Sequence, residues 1–181
     1  MVSVSDLQPQ EAAQTLSLHA LSIGEGILAL SQAPGAGGDY PGDLRLIREW
    51  RASIVVTLTT RVEQVILGTE TLGCDIQGLG SRWFHLPIED YQTPTADQQE
   101  RWADISGLCR QALSGGGRVL VHCRGGCGRS GMVALRLMIE SGERPDAALH
   151  RLRLVRPCAI ETDAQIAWAY GPRRTAPPAS G

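Results

Sequence analysis

The stretch Val121-His122-Cys123-Arg124-Gly125-Gly126-Cys127-Gly128-Arg129-Ser130-Gly131 gathers thiols, guanidinium groups and a hydroxyl among four glycines. It lies between Arg118–His122, which reads as a compact strand, and Gly131–Glu140, which has the apolar density of a buried helix. A strand-to-helix junction of this kind binds anions, because unpaired N–H groups at the helix start point at the loop and the helix dipole places partial positive charge there. Gly125, Gly126 and Gly128 let the backbone curl closely around an oxyanion, so the N–H groups from Arg124 to Arg129, Cys127 included, are the expected donors. Arg129 adds a planar fork. A free thiol titrates near 8.5, and such a field lowers it to roughly 3.5–7.5; a drop of about three units is worth about 4 kcal/mol. Cys123 is thus the expected nucleophile, and Ser130 can donate its hydroxyl to the thiolate and ease its departure in a second step. His122 is expected to buttress the loop.

Other chemistries fit the stretch less well. Zinc would need a second Cys/His pair to complete a tetrahedral set with His122, Cys123 and Cys127, and none is spaced for it. Gly126 to Gly131 also spells Gly-x-Gly-x-x-Gly, but a dinucleotide fold needs a second strand ending in an acid about twenty residues on; Glu143 and Asp146 fall in a helical stretch. A nucleotide-triphosphate loop ends in Gly-Lys-Ser/Thr, and all 17 basic residues here are Arg. The five cysteines, Cys74, Cys109, Cys123, Cys127 and Cys158, form an odd set without paired spacing, which argues against a secreted disulfide framework and predicts that some of them are free thiols. An oxidised Cys123 would find its nearest partner in Cys127, with Cys74 as the alternative.

The loop has to be positioned by a sheet. Ile27–Leu30 reads as a strand before the Gly/Pro-rich stretch Ala33–Gly42; Leu44, Ile47 and Trp50 then recur at helical spacing. Ser53–Leu58 reads as a buried strand and Trp83–Ile88 as another, with Pro87 near its end. Helices are predicted over Arg61–Leu67, Ala96–Ser114 behind a Thr95/Gln98 capping box, Pro145–Val155 and Thr162–Tyr170. Helices alternating with short buried strands predict one α/β domain, its central sheet mainly parallel and covered by helices on both faces. The expected divisions are an N-terminal segment 1–22, a catalytic domain 23–170 and a disordered Pro/Ala/Arg-rich tail 171–181.

His-Cys, five residues, Arg and then Ser or Thr is the signature of the cysteine-based protein phosphatases, which this chain resembles at His122, Cys123, Arg129 and Ser130. Phe84 to Pro94 is similar to the family segment that supplies a general acid, with Asp90 at the acid's position and Glu89 its neighbour. Arg156-Pro157-Cys158-Ala159-Ile160 followed by Gln165 is similar to the element after the catalytic helix, where a glutamine helps place the hydrolytic water. From about Gly24 to Tyr170 the pattern looks most like the kinase-associated phosphatase branch of the dual-specificity group. Two residues depart from it: Cys127 stands where relatives often carry Lys or Leu, and Cys158 where a glycine is common.

The resemblance implies a phosphatase that removes phosphate through a cysteinyl-phosphate, with no metal or organic cofactor. A rhodanese-type sulfurtransferase, or a module that binds phosphoprotein without turnover, are the rival readings. The substrate would be a phosphorylated protein or another phosphate monoester. Charged residues make up 20% and the net charge is -2, which leaves no electrostatic footprint for nucleic acid. No stretch approaches the roughly 18 apolar residues of a membrane span, and Met1–Ala20 lacks a leader's basic start and apolar run. A cytoplasmic monomer is expected.

Overall fold

Burial on both faces explains why the strands read as unbroken apolar runs. The computed structural model describes residues 14–172. Its strands are β1 (His19–Ile23), β2 (Gly26–Ser31), β3 (Ile54–Thr57), β4 (Arg82–His85) and β5 (Arg118–His122), in spatial order β1-β2-β5-β3-β4. β2, β5, β3 and β4 are parallel, and β1 alone runs antiparallel to β2. Side chains alternate strictly. Ala29, Val55 and Leu120 pack under α1 (Tyr40–Trp50) and α3 (Leu72–Gly78). Leu28, Leu30, Ile54, Val56, Val119 and Val121 meet the other face with α4 (Ala96–Ser114), α5 (Gly128–Glu140), α6 (Pro145–Val155) and α7 (Asp163–Tyr170). The fold is the single α/β domain expected, with a mixed sheet.

Four details differ from the sequence reading. β1 falls within the stretch assigned to the N-terminal segment 1–22 and reaches Ile23; it forms a tight hairpin with β2 through Gly24, whose φ is 55°. Its polar and apolar alternation is too brief to announce a strand without that partner. Helix α3 was not anticipated; its side of contact is Leu72 and Ile76, one turn apart and fully buried. β4 ends at His85, before Pro87, although Leu86 and Ile88 still donate to Thr57 and Leu58 carbonyls at 2.9 and 3.0 Å. Proline lies at the alternate position, where no donor is needed. Lastly α5 begins at Gly128, three residues earlier than read, because Gly131 N–H already bonds Cys127 O at 3.0 Å. Arg129 and Ser130 therefore belong to its first turn. Of the tail, residues 173–181 lie outside the described residues, as do residues 1–13.

Buried Asp43 on α1 accepts from Leu16 N at 2.9 Å and Gly35 N at 2.8 Å, fixing the turn after β2. That turn in turn holds the loop beyond β5, since Ala33 N–H donates to Arg124 O at 3.1 Å. α2 (Arg61–Leu67) starts directly after β3 with a complete Thr60/Glu63 capping box. These connections bring α2, the β4–α4 segment and the β5–α5 loop together at the carboxyl end of the parallel strands, where α/β sheets bind ligands.

Candidate active site

Cys123 follows the last residue of β5 and is only 3% exposed. Its Sγ accepts the Gly126 N–H at 3.2 Å and lies 3.3 Å from Ser130 Oγ, itself fully buried. The sulfur thus faces the interior of the loop, with a backbone donor on one side and a hydroxyl on the other. Gly126 has φ 71°, and a Cβ there would stand 2.5 Å from the Ser31 carbonyl carbon, so both conformation and space demand glycine. Arg124 points its side chain to solvent, Gly125 is exposed, and Gly128 opens α5 against Glu161.

His122 is completely buried, with Nε2 2.8 Å from Thr57 Oγ1, which also accepts from Trp83 Nε1 at 2.8 Å. Burial first, and the nearby His85 and Arg129 after it, push its pKa down to about 3. His122 is therefore a neutral tie between β5 and β3, as a buttress would be.

Arg129 is 1% exposed and held by more than the loop. Nη1 donates to Glu63 Oε2 and to Ile88 O, and Nη2 to Glu63 Oε1, each at 2.8 Å. Its Nε finds no partner among the described residues, and Nη2 is 3.5 Å from Asp90 Oδ1. The guanidinium is thus gripped at one end while Nε–H remains free to meet an oxyanion. Burial alone would lower its pKa, but the Glu63 hydrogen bonds and the charges of Cys123, Glu63 and Asp90 raise it. Burial likewise would raise Glu63, yet the bonds from Arg129 and Thr60 hold it below the usual carboxylate range. Glu63 was missed by the sequence reading. Its only local signal was the capping box, which explains a glutamate there without the site.

Asp90 sits exposed on the β4–α4 segment with Tyr91 N–H donating to Oδ1 at 3.1 Å, and Tyr91 has a left-handed φ of 60°. Of the neighbouring acids, Asp90 is the one within ion-pair reach of Arg129; Glu89 is exposed and makes no such contact. Gln165 is fully buried at N3 of α7, where Oε1 accepts from Glu161 N and Thr162 N at 3.0 and 3.3 Å, and Nε2 donates to Gln92 O at 3.4 Å. It joins α7 to the segment that carries Asp90.

Three of the five cysteines, Cys74, Cys109 and Cys123, are free thiols, in keeping with the expectation that some would be. Cys127 is disulfide-bonded to Cys158, with Cα atoms 5.3 Å apart. Neither expected partner of Cys123 is therefore paired with it: Cys127 is taken, and Cys74 is a free, exposed thiol on α3, a helix that packs on the edge strand β4. The pairing was unreadable because the two residues meet only after α5 and α6 fold back. Beside the disulfide, Arg156 donates from Nε to Gly126 O at 2.9 Å and from Nη2 to Gly125 O at 3.0 Å, and Ile160 N–H bonds Cys127 O at 3.2 Å. Ile160 has φ 69°, a conformation that a β-branched residue holds at a cost of about 1–3 kcal/mol.

A buried cysteine that accepts a loop N–H just before a helix start, with a buried arginine in that helix's first turn whose Nε–H is unpartnered among the described residues, is the arrangement of a cysteine-based phosphatase on a dual-specificity fold. The chain belongs to the family described as "Polymorphic toxin system, DSP-PTPase phosphatase", whose profile matches residues 33–143. No curated protein matches the chain by sequence. Among solved structures, kinase-associated phosphatase (with its catalytic cysteine changed to serine) superposes with a TM-score of 0.77 at 24% identity, over 87% of this chain and 93% of that one. Tk-PTP in its active form gives 0.66 at 29% identity over 82% and 91%. PTPMT1 in complex with PI(5)P gives 0.66 at 17% identity over 83% and 92%. The family assignment favours the phosphatase over a sulfurtransferase. Among the described residues no helix is long and apolar enough to cross a membrane.

Proposed function

We propose that this chain hydrolyses phosphate monoesters on proteins, phosphotyrosine or phosphoserine/threonine, by two in-line displacements through Cys123. The observation that carries the reading is the buried Cys123 Sγ, which holds the Gly126 N–H beside the start of α5, together with the buried Arg129 in that helix's first turn, whose Nε has no partner among the described residues. The thiolate attacks phosphorus while Asp90 protonates the departing oxygen, giving a cysteinyl-phosphate. Asp90 then takes a proton from water, the water oxygen bonds to phosphorus, and the sulfur leaves with the Ser130 hydroxyl donating to it. The backbone N–H groups of Arg124 to Arg129 and the Arg129 guanidinium hold the equatorial oxygens, where charge collects in the transition state. Gln165 has one Nε2 hydrogen left beyond its bond to Gln92, and that hydrogen is the one to orient the water.

A phosphoprotein fits better than an anionic lipid because position 127 offers no side-chain charge and its sulfur is engaged in the disulfide. The family description places its members in polymorphic toxin systems, and we read this chain as the phosphatase unit of one, a monomer acting where phosphoproteins are made, in the cytoplasm. The test is a panel of phosphopeptides and phosphoinositides run in EDTA with and without vanadate. Vanadate-sensitive release of phosphate from the peptides supports the reading; turnover confined to the lipids, or persulfide formation from thiosulfate without phosphate release, overturns it.

A further inference from the structure

The mechanism makes no use of the Cys127–Cys158 bond, although Cys127 lies inside the phosphate loop and Cys158 in the connection between α6 and α7. That connection already grips the loop. Arg156 binds the Gly125 and Gly126 carbonyls from outside. In a trans peptide C=O and N–H point in opposite directions, so drawing these two carbonyls outward turns the N–H groups of Gly126 and Cys127 inward. The Gly126 N–H indeed reaches Cys123 Sγ. The gripping segment is itself under tension, since Ile160 keeps a left-handed φ of 69° while Arg153 holds the Ala159 and Ile160 carbonyls at 3.1 and 3.4 Å.

We propose that the Cys127–Cys158 disulfide is a redox latch on the phosphate loop, with Cys158 a positioning residue. Closed, it fastens the loop to the α6–α7 connection and keeps the N–H groups aimed at the oxyanion. Opened by a dithiol reductant, it removes the one covalent tie between loop and connection and leaves hydrogen bonds and the packing of Ala159 and Ile160 to oppose relaxation of the strained segment, and the loop binds its oxyanion more weakly. The inference rests on the phosphatase reading of the same site.

The chemistry of opening is available at the surface. Cys158 is exposed, so a reductant thiolate reaches its sulfur, and Cys127 Sγ leaves 3.4 Å from the Arg156 guanidinium, which stabilises the departing thiolate. The second thiol of the reductant resolves the mixed disulfide and departs as a cyclic disulfide. Cys127 and Cys158 finish as thiols, having gained two electrons and two protons. Exposed disulfides are the labile ones, whereas buried structural ones resist reduction. The closed ring spans a sequence separation of 31 that includes α5 and α6, so opening it frees the loop without unthreading the core.

The test uses Cys123→Ser protein, so that oxidation of the nucleophile cannot confound the result, and tungstate as the probe oxyanion in calorimetry. The disulfide form is compared with the same protein reduced anaerobically by dithiothreitol, thiols being counted by alkylation and mass spectrometry. Reduction is expected to weaken tungstate binding about fivefold or more through lost preorganisation, and Cys123→Ser/Cys158→Ser is expected to bind at the weaker value with or without reductant. Equal affinity of the two redox forms overturns the latch. So does full alkylation of Cys127 and Cys158 in air-purified protein without prior reduction. Absence of tungstate binding in both forms overturns instead the phosphatase reading on which the latch rests. Because the two redox forms share one polypeptide, the result stands even if the Cys158→Ser chain folds poorly.

Discussion

Glu63 and Arg129 meet in a two-pronged ion pair, 2.8 Å on each arm, between the first turns of α2 and α5. Removing the carboxylate as Glu63→Ala leaves a buried guanidinium without its anchor and should cost about 3 kcal/mol of stability, with a lower kcat because Arg129 no longer holds its direction. The pH dependence has a fixed sign. Glu63 has a depressed pKa in the folded chain, so its contribution is present above the unfolded carboxylate value and is lost as pH falls through the lower folded one. Urea unfolding of both proteins should show a full difference at neutral pH that vanishes at strongly acidic pH; a difference independent of pH would mean the pair is not what stabilises the site.

Arg129→Lys keeps a positive charge but loses both the fork on Glu63 and the free Nε–H. A point charge cannot replace planar, directed donors, so kcat/KM for an aryl phosphate should fall by about 10² or more, and product phosphate should inhibit less. Kinetics unchanged from wild type would remove Arg129 from the reaction.

The location of the phosphate chemistry was legible because the nucleophile Cys123, the loop glycines, Arg129 and Ser130 lie in one continuous run, with spacing set by the strand and helix on either side. Helix α4, with its Thr95 capping box, was legible for the same local reason, and its bounds agree with the sequence reading. Glu63, Arg156 and the Cys127–Cys158 bond were not, because each acts through tertiary contact: Glu63 reaches Arg129 across 66 positions and Arg156 reaches Gly126 across 30. Local patterns carry no trace of such contacts. Cys158 was noticed only as a departure at a glycine position, and its meaning needed the fold of α6 back onto the loop.

Gly126→Ala tests the loop's shape independently of its charges. The new methyl would meet the Ser31 carbonyl carbon at 2.5 Å and Gln32 N at 2.6 Å, both backbone atoms that cannot step aside. Oxyanion binding and turnover should both fall at least about tenfold, with helical circular dichroism retained, because the strain is confined to a turn. Wild-type KM in this variant would show that the Gly126 N–H does not bind substrate.

Asp90 and Glu89 differ in what they reach, only Asp90 standing near Arg129. General acid catalysis contributes about 10²–10⁴ in rate and matters most for basic leaving groups. Asp90→Ala should therefore slow phenyl phosphate much more than an activated nitrophenyl phosphate, while Glu89→Ala leaves the dependence on leaving group as it is. Exchange of the two phenotypes would move the acid to Glu89.

The central claim is the covalent intermediate on Cys123. Wild-type protein mixed with an aryl phosphate, quenched in acid within the first turnovers and mapped by peptide mass spectrometry, should carry one phosphoryl group on the peptide containing Cys123, and pure Cys123→Ser should show neither that adduct nor hydrolysis above a buffer blank. Measurable turnover by Cys123→Ser, or steady hydrolysis by the wild type with the phosphoryl group found on another residue, would contradict the account.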